Sequence, residues 1–454
     1  MKPLSRRTSR RTSRGTSRRT SRLVIAAAAV ASLSMLATAC GGGSSAAGTG
    51  KDSSGKPVTI TYWSWMPGTE ETAKAFNKTH KDVQVTFSLI PAGGSGGYDK
   101  LAKGVKAGNA PDVVNVEYQA VPDLVTQGLL KDQSDLLGRT VKDNFPQSVQ
   151  DLVTLGGKTW TTPYDVAPQI FYYRSDLFKK YGIEVPTTWA GFKTAAAKVK
   201  KADSKAHIAA FWGDDVATWG GLVQQAGGTW YGTSGDAWKV DMTNAATQKV
   251  ASYWKGMVKD DLVVNQTGWT PEWTKGLTDG TTLGYISAAW GAGGLKTTVP
   301  KESGKWSAAP IPNWGTAASG SVGGSSFAIS KDSKKADAAA EFIKWATTTT
   351  AGVKARMSLG TSSALPADPK LRDTAKASFD TAFFGGQDLY SLAGAQVDTI
   401  QAGWIWSPVH NTTSQTLVTE LGKAKTTGDF YAAFEAGQKA AEKQVTERGL
   451  TLAK

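Results

Sequence analysis

The chain has 454 residues, 40% hydrophobic and 20% charged, with 50 Gly and 17 Pro; this is a globular composition with room for about two or three domains, and it excludes a wholly disordered or fibrous chain. Nine of the 52 Lys and Arg (Lys2, Arg6, Arg7, Arg10, Arg11, Arg14, Arg18, Arg19 and Arg22) lie before residue 40, where there is no acid. The remainder is close to balance against 38 Asp and Glu and lacks the concentrated basic face of a nucleic-acid binder. One Cys and three His exclude a disulfide framework and leave a Cys/His metal site short of ligands.

In chain order, the basic repeats RRTSR and RTSR lead into an apolar run, Leu23 to Ala37. That run is shorter than the roughly 20 residues a membrane-spanning helix needs. A charged stretch, a short apolar stretch and the small residues Ala37-Thr38-Ala39 before Cys40 read as an export signal over 1–39. The junction resembles a bacterial lipobox, with Ala37 where leucine is usual, and predicts a diacylglyceryl group on the Cys40 thioether. Residues 40–55, rich in Gly and Ser, read as a flexible tether. Paired Arg18-Arg19 leave Sec and twin-arginine export both open.

From Pro57 the alternation of VTITYWSW predicts a strand, EETAKAFNKTH a helix and VQVTFSLI a second strand. A Gly-rich loop, a helix over Tyr98 to Lys106 and a short strand over Val113 to Val116 follow. The rhythm recurs in the helix AGFKTAAAKVKKA, the run HIAAFW, a helix through Gln248 to Val258, the strand TLGYISAAW, the segment SSFAIS and the helix ADAAAEFIKWATT. The end of the chain is mostly helical. Strands alternating with helices predict an α/β fold with a largely parallel sheet, and ligands of such sheets bind beyond the strand ends.

Tryptophan is the unusual feature: 17 Trp exceed 14 Phe and 12 Tyr. Flat rigid aromatics suit the C–H face of a pyranose, whose hydroxyl rim calls for Asp, Glu, Asn, Gln or Arg nearby. For any single Trp, core packing outweighs ligand contact. For Trp63, Trp65, Trp212 and Trp290 at strand ends, with Glu117, Tyr118, Gln119, Asp214 and Asp215 at comparable places, the balance reverses. Gly157-Lys158-Thr159 lacks the first Gly of a phosphate-binding loop, since Leu152 stands there, and reads as a turn. Gly323-Gly324-Ser325-Ser326 reads as a turn or as close backbone approach to a ligand. No G-x-S-x-G elbow is present, and His80, His207 and His410 lie in unrelated contexts, which argues against a hydrolytic triad. Asn77, Asn265 and Asn411 begin N-x-[ST] triplets.

Three segments in order carry a resemblance: APDVVNV with LVTQGLLKDQSDLL; GGKTWTTPYDVAPQIFYYRSDLFKKYGIEVPTTWAGF; and AAPIPNWG through GGSSFAISKDSKKADAAAEFIKWATT, joined by LPADPKL at 365–371. Together they resemble the solute-binding lipoproteins of bacterial ABC sugar importers, the maltose-binding-like group of extracellular solute-binding proteins, over nearly all of 56–454. The resemblance implies an α/β, two-lobed periplasmic-binding-protein-like fold (type II) with hinge crossovers near Pro163 to Pro168 and Ala308 to Pro312. It places 56–165 and 310–355 in lobe 1, and 166–309 and 356–454 in lobe 2.

By matching motif it implies sugar contacts from Trp65, Glu117, Tyr118, Gln119, Tyr164 and Asp165, from Trp212, Asp214, Asp215, Trp219 and Trp290, from Gly324 and Ser325, and from Trp404 and Trp406. The departures from the family's pattern, notably Gln119, lie within this set. The implied function is that of a monomeric receptor, lipid-anchored to the outer face of the bacterial cytoplasmic membrane. It takes a carbohydrate, an oligosaccharide in the first instance, between its lobes and delivers it to permease subunits, with no catalytic residue, metal, cofactor or nucleic-acid partner. The alternatives are a secreted carbohydrate-active enzyme and the same fold binding a polyamine, peptide or metal chelate.

Overall fold

A computed structural model of the protein describes residues 55–453. The export signal, Cys40 and nearly all of the tether fall outside the described residues. Two five-stranded sheets organise the rest. The first has the order Val83–Leu89, Val58–Ser64, Val113–Glu117, Ser325–Ile329, Thr162–Pro163. The second has the order Val264–Asn265, Ala210–Phe211, Gly284–Ala288, Gln169–Arg174, Trp306–Pro310. Each sheet is the heart of one lobe of an α/β, two-lobed fold.

Alternation along the strands decides which face each side chain serves. In the first sheet Tyr62, Val113 and Phe327 join Phe76 and Phe342 on one side. Val114, Val116 and Ala328 join Leu101 and Leu124 on the other. In the second sheet Phe171, Tyr172, Phe211 and Tyr285 join a core rich in tryptophan. Helices cover both, and their starts are chemically fixed. Thr188 Oγ1 caps Trp189–Ala202 by accepting from Gly191 N at 3.1 Å, and the Asn244 side chain caps Ala245–Lys259.

Both sheets are mixed rather than largely parallel. Val58–Ser64 runs parallel to both its neighbours, from Val58↔Val83 on one side and Tyr62↔Val113 on the other. Ser325–Ile329 is antiparallel to its two neighbours, and so is Gln169–Arg174. These two follow directly on the passages between sheets. A chain that arrives at the facing edge of a lobe has only one direction to run, away from it, whereas strands feeding the loops there run toward it. Strand ends of either polarity therefore meet at one edge: Trp65 after Ser64, Gln119 after Glu117, Gly324 before Ser325 and Asp165 before Gln169. The return pass is held by Leu365↔Val166 and Pro366↔Asp165.

The segment expected to be a turn is a tight hairpin. Thr154–Leu155 pairs with Lys158–Thr159, and Gly156 and Gly157 at φ 60° and 72° supply the left-handed pair of a two-residue connection. Away from the passages the lobes also touch through Asp123, which is fully buried. Its carboxylate accepts from the Arg448 guanidinium, from Asn411 N at 2.7 Å and from Gln127 Nε2 at 2.8 Å. Asp123→Ala leaves Arg448 without its buried partner and is expected to cost about 3 kcal/mol, read as a lower urea midpoint at unchanged m-value.

Candidate functional site

Where the strand ends face each other lies a cavity of about 980 Å³, at the upper end of the size of small-molecule sites. Eleven of the fifteen residues expected at the site line it: Trp65, Glu117, Gln119, Tyr164, Asp165, Trp212, Asp214, Asp215, Trp290, Gly324 and Ser325. Two chain passages form its floor. Asp165 Oδ1 accepts from Ser325 N at 2.7 Å, and the Asp165 carbonyl accepts from Tyr118 Oη at 2.9 Å. Gly323 and Gly324 hold φ of 77° and 90°, and a Cβ on Gly324 would meet the Tyr118 ring at 2.9 Å, so backbone alone fits between that ring and the cavity.

The walls differ. Trp212, Trp269 and Trp290 come from the second lobe, with Trp212 and Trp269 centroids 5.6 Å apart and Trp269 and Trp290 6.3 Å apart. Trp290 is oriented by its indole N–H, which donates to the Val322 carbonyl at 3.0 Å. On the first lobe Trp65 stands edge-on to Tyr98 at 6.0 Å. Tyr98 Oη accepts from Glu117 N at 2.9 Å and donates to Glu117 Oε2 at 3.0 Å, which pins that carboxylate. Asp214 is paired with Lys425 at 2.7 Å and accepts from Thr267 Oγ1 at 2.6 Å. Asp215 caps the helix Val216–Gln225, accepting from Thr218 N at 2.9 Å.

Residues 63–353 match the model of the family described as bacterial extracellular solute-binding protein. This chain belongs to that family. The lactose-binding protein of Rhizobium radiobacter is 26% identical over 307 residues, 63% of this chain and 69% of that protein. Two solved structures are similar at 26% identity, each covering 88% of this chain and 100% of its own. One is the ABC transporter associated binding protein from B. animalis subsp. lactis Bl-04 in complex with β-1,6-galactobiose, at TM-score 0.77. The other is the galacto-N-biose-/lacto-N-biose I-binding protein of Bifidobacterium longum in complex with lacto-N-biose, at TM-score 0.78.

Four expected residues of this solute-binding protein lie elsewhere. Trp219 is fully buried, its indole N–H donates to the Gly213 carbonyl at 3.0 Å, and it packs on Phe211, Phe430 and Phe434. It lies one turn into the helix Val216–Gln225 beside the site but points into the core. Tyr118 stands behind Gly324, and with Trp404 and Trp406 it lines a separate cavity of about 460 Å³. Part of the tryptophan surplus is a packing device, since Trp189, Trp219, Trp230, Trp254, Trp273 and Trp306 are wholly buried. Sequence reading missed Trp269, Met66 and the run Thr361 to Ala364. Trp269 follows a strand of two residues, too short to announce itself, although Gly-Trp-Thr-Pro marks a turn before a helix. It sits at φ 63°, a left-handed backbone that costs a non-glycine residue on the order of 1–3 kcal/mol.

The lining carries four carboxylates and, among the described residues, no basic side chain. Burial pushes the Glu117 carboxyl up to about 7, with the Tyr98 hydrogen bond opposing and the Asp215 and Asp165 charges adding. Burial likewise raises Asp165 to about 6, against the nearby Arg356 guanidinium and the Ser325 N–H, and it raises Asp215. Arg356 is itself buried, with its guanidinium 4.3 Å over the Tyr164 ring. A carboxyl raised on folding binds protons more tightly in the native state, so its contribution to stability is full at low pH and is lost as pH rises to the folded value. The melting temperature of the free protein is expected to fall between pH 4.5 and 7, and Glu117→Gln to flatten that decline in part, measured by calorimetry across pH.

Proposed function

We propose that this protein is the carbohydrate-binding component of an ABC importer, taking a saccharide between its lobes and presenting it to a membrane permease. The observation that carries the reading is the single cavity in which three second-lobe indoles face a first-lobe set of carboxyl and amide groups. Indoles provide flat apolar contact for a sugar ring, and Glu117, Gln119 and Asp165 are acceptors for its hydroxyls, which a deoxy analogue would leave unpaired. The absence of a basic side chain from the described lining speaks against an anionic solute. Relatives named for lactose, arabinooligosaccharide and β-1,6-galactobiose support the class.

The lobes take the boundaries implied at the outset, 56–165 with 310–355 and 166–309 with 356–454, and the contact set is the group of expected residues that line the cavity together with Trp269. Closure around solute is a population shift, because only the closed form offers both walls at once. No covalent step is required. The protein works as a monomer held to the outer face of the cytoplasmic membrane by lipid on Cys40.

A thermal-shift and calorimetric screen of the mature chain against mono- and oligosaccharides tests the reading. A binding sugar raises the melting temperature, and Trp290→Ala is expected to abolish that rise while the free protein still melts cooperatively. Release of sugar fragments during incubation would instead make the raised Glu117 carboxyl a general acid and the protein a glycosidase. Heat with spermidine and none with sugars would assign it to polyamines. Cys40→Ala is expected to move the protein from the membrane fraction to the medium, measured by fractionation of expressing cells.

A further inference from the structure

We propose that the main cavity continues outward over Trp269 into a second subsite along the helix Pro271–Asp279, so that the solute is an oligosaccharide whose distal unit rests there; this rests on the carbohydrate reading above. Trp269 lines the main cavity and also a shallower groove of about 630 Å³ beside that helix. It is 47% exposed, although it packs at a tilt against Trp273 at 4.8 Å and Trp212 at 5.6 Å. A large indole held half-open between two cavities is a platform for a ligand that passes from one to the other.

The chain goes to some length to hold it there. Trp269 and Asp261 are the non-glycine residues with positive φ among those described. Glycines clear the space around the indoles: a Cβ on Gly294 would stand 2.6 Å from the Trp269 ring, and one on Gly268 would stand 2.5 Å from Trp212. Beyond the ring, hydroxyls are set into a largely apolar groove surface. Thr270, Thr274 and Thr278 follow one helix face at four-residue spacing. Lys275 and Asp279, paired at 2.5 Å, line the same groove. Threonine hydroxyls keep acceptor lone pairs after donating within the helix, as Thr278 Oγ1 does to the Thr274 carbonyl at 2.8 Å. A hydroxyl row on an apolar surface beside an indole fits the far sugar of a chain, which presents both C–H faces and hydroxyls, and the Lys275 charge is already paired with Asp279.

The test is calorimetry on the mature protein with malto-, cello- and β-galacto-oligosaccharides of two to six units, reading the ratio of tetrasaccharide to disaccharide affinity within the series that binds. The wild-type ratio is expected to be about tenfold or more. Trp269→Gly, which suits the left-handed backbone, and Thr274→Arg, which fills the groove from outside the main cavity, are expected to bring it to about twofold or less. A wild-type ratio near one, or a tenfold ratio that survives both substitutions, overturns the outer subsite and leaves the carbohydrate reading standing. Failure of every series to bind, at any length, overturns the carbohydrate reading and the subsite with it.

Discussion

The structure turns on one buried carboxylate. Asp165 sits where the chain leaves the first sheet, and its side chain grips Ser325 N where the chain comes back, while its carbonyl takes the Tyr118 hydroxyl. Arg356, from the helix Thr350–Met357 before the return pass, donates to the neighbouring Tyr164 carbonyl at 3.4 Å. Three stretches far apart in sequence are thereby drawn together at the join between lobes. Tyr164, Asp165 and Ser325 among them also line the cavity, so groups that connect the lobes stand at its floor. That dual use explains why a charged side chain is tolerated at full burial: the satisfied hydrogen bond and nearby guanidinium offset part of the desolvation cost.

The two lobes contribute unequally. Aromatic surface is concentrated on the second, where Trp212, Trp269 and Trp290 form a connected wall backed by Trp273. The first lobe offers one indole, Trp65, and the pinned Glu117 beside Gln119. Aromatic surface is thus weighted to one wall while carboxyls line both, and those of opposite lobes, Glu117 and Asp215, feel each other through the gap.

Much of this was legible in the amino-acid order because short-range rules governed it. The strand Val58–Ser64, the helix Ala336–Thr348 and the glycine pair at 323–324 all carry local signatures, and the βα rhythm places Trp65, Asp214 and Trp290 after strands. Strand direction was not legible. Periodicity is blind to polarity, and the antiparallel strands Gln169–Arg174 and Ser325–Ile329 owe their direction to passages between lobes. The orientations of Trp219 and Trp269 escape the spacing rule for complementary reasons. The first lies one helical turn past Asp215 and rotates inward, and the second follows a strand of only two residues. Neither orientation is encoded in spacing; both are set by what the ring finds to pack against.

The positions of Gln169–Arg174 and Ser325–Ile329 have a mechanical corollary. Each is flanked by hydrogen-bonded strands on both sides, so each passage enters the interior of a sheet, although it sets out from an outermost strand of the other sheet, Thr162–Pro163 or Trp306–Pro310. A load on either passage therefore meets paired backbone on two flanks where the chain arrives and on one flank where it departs. The arrival ends are thus the stiffer anchors of the junction and the departure ends the more yielding ones.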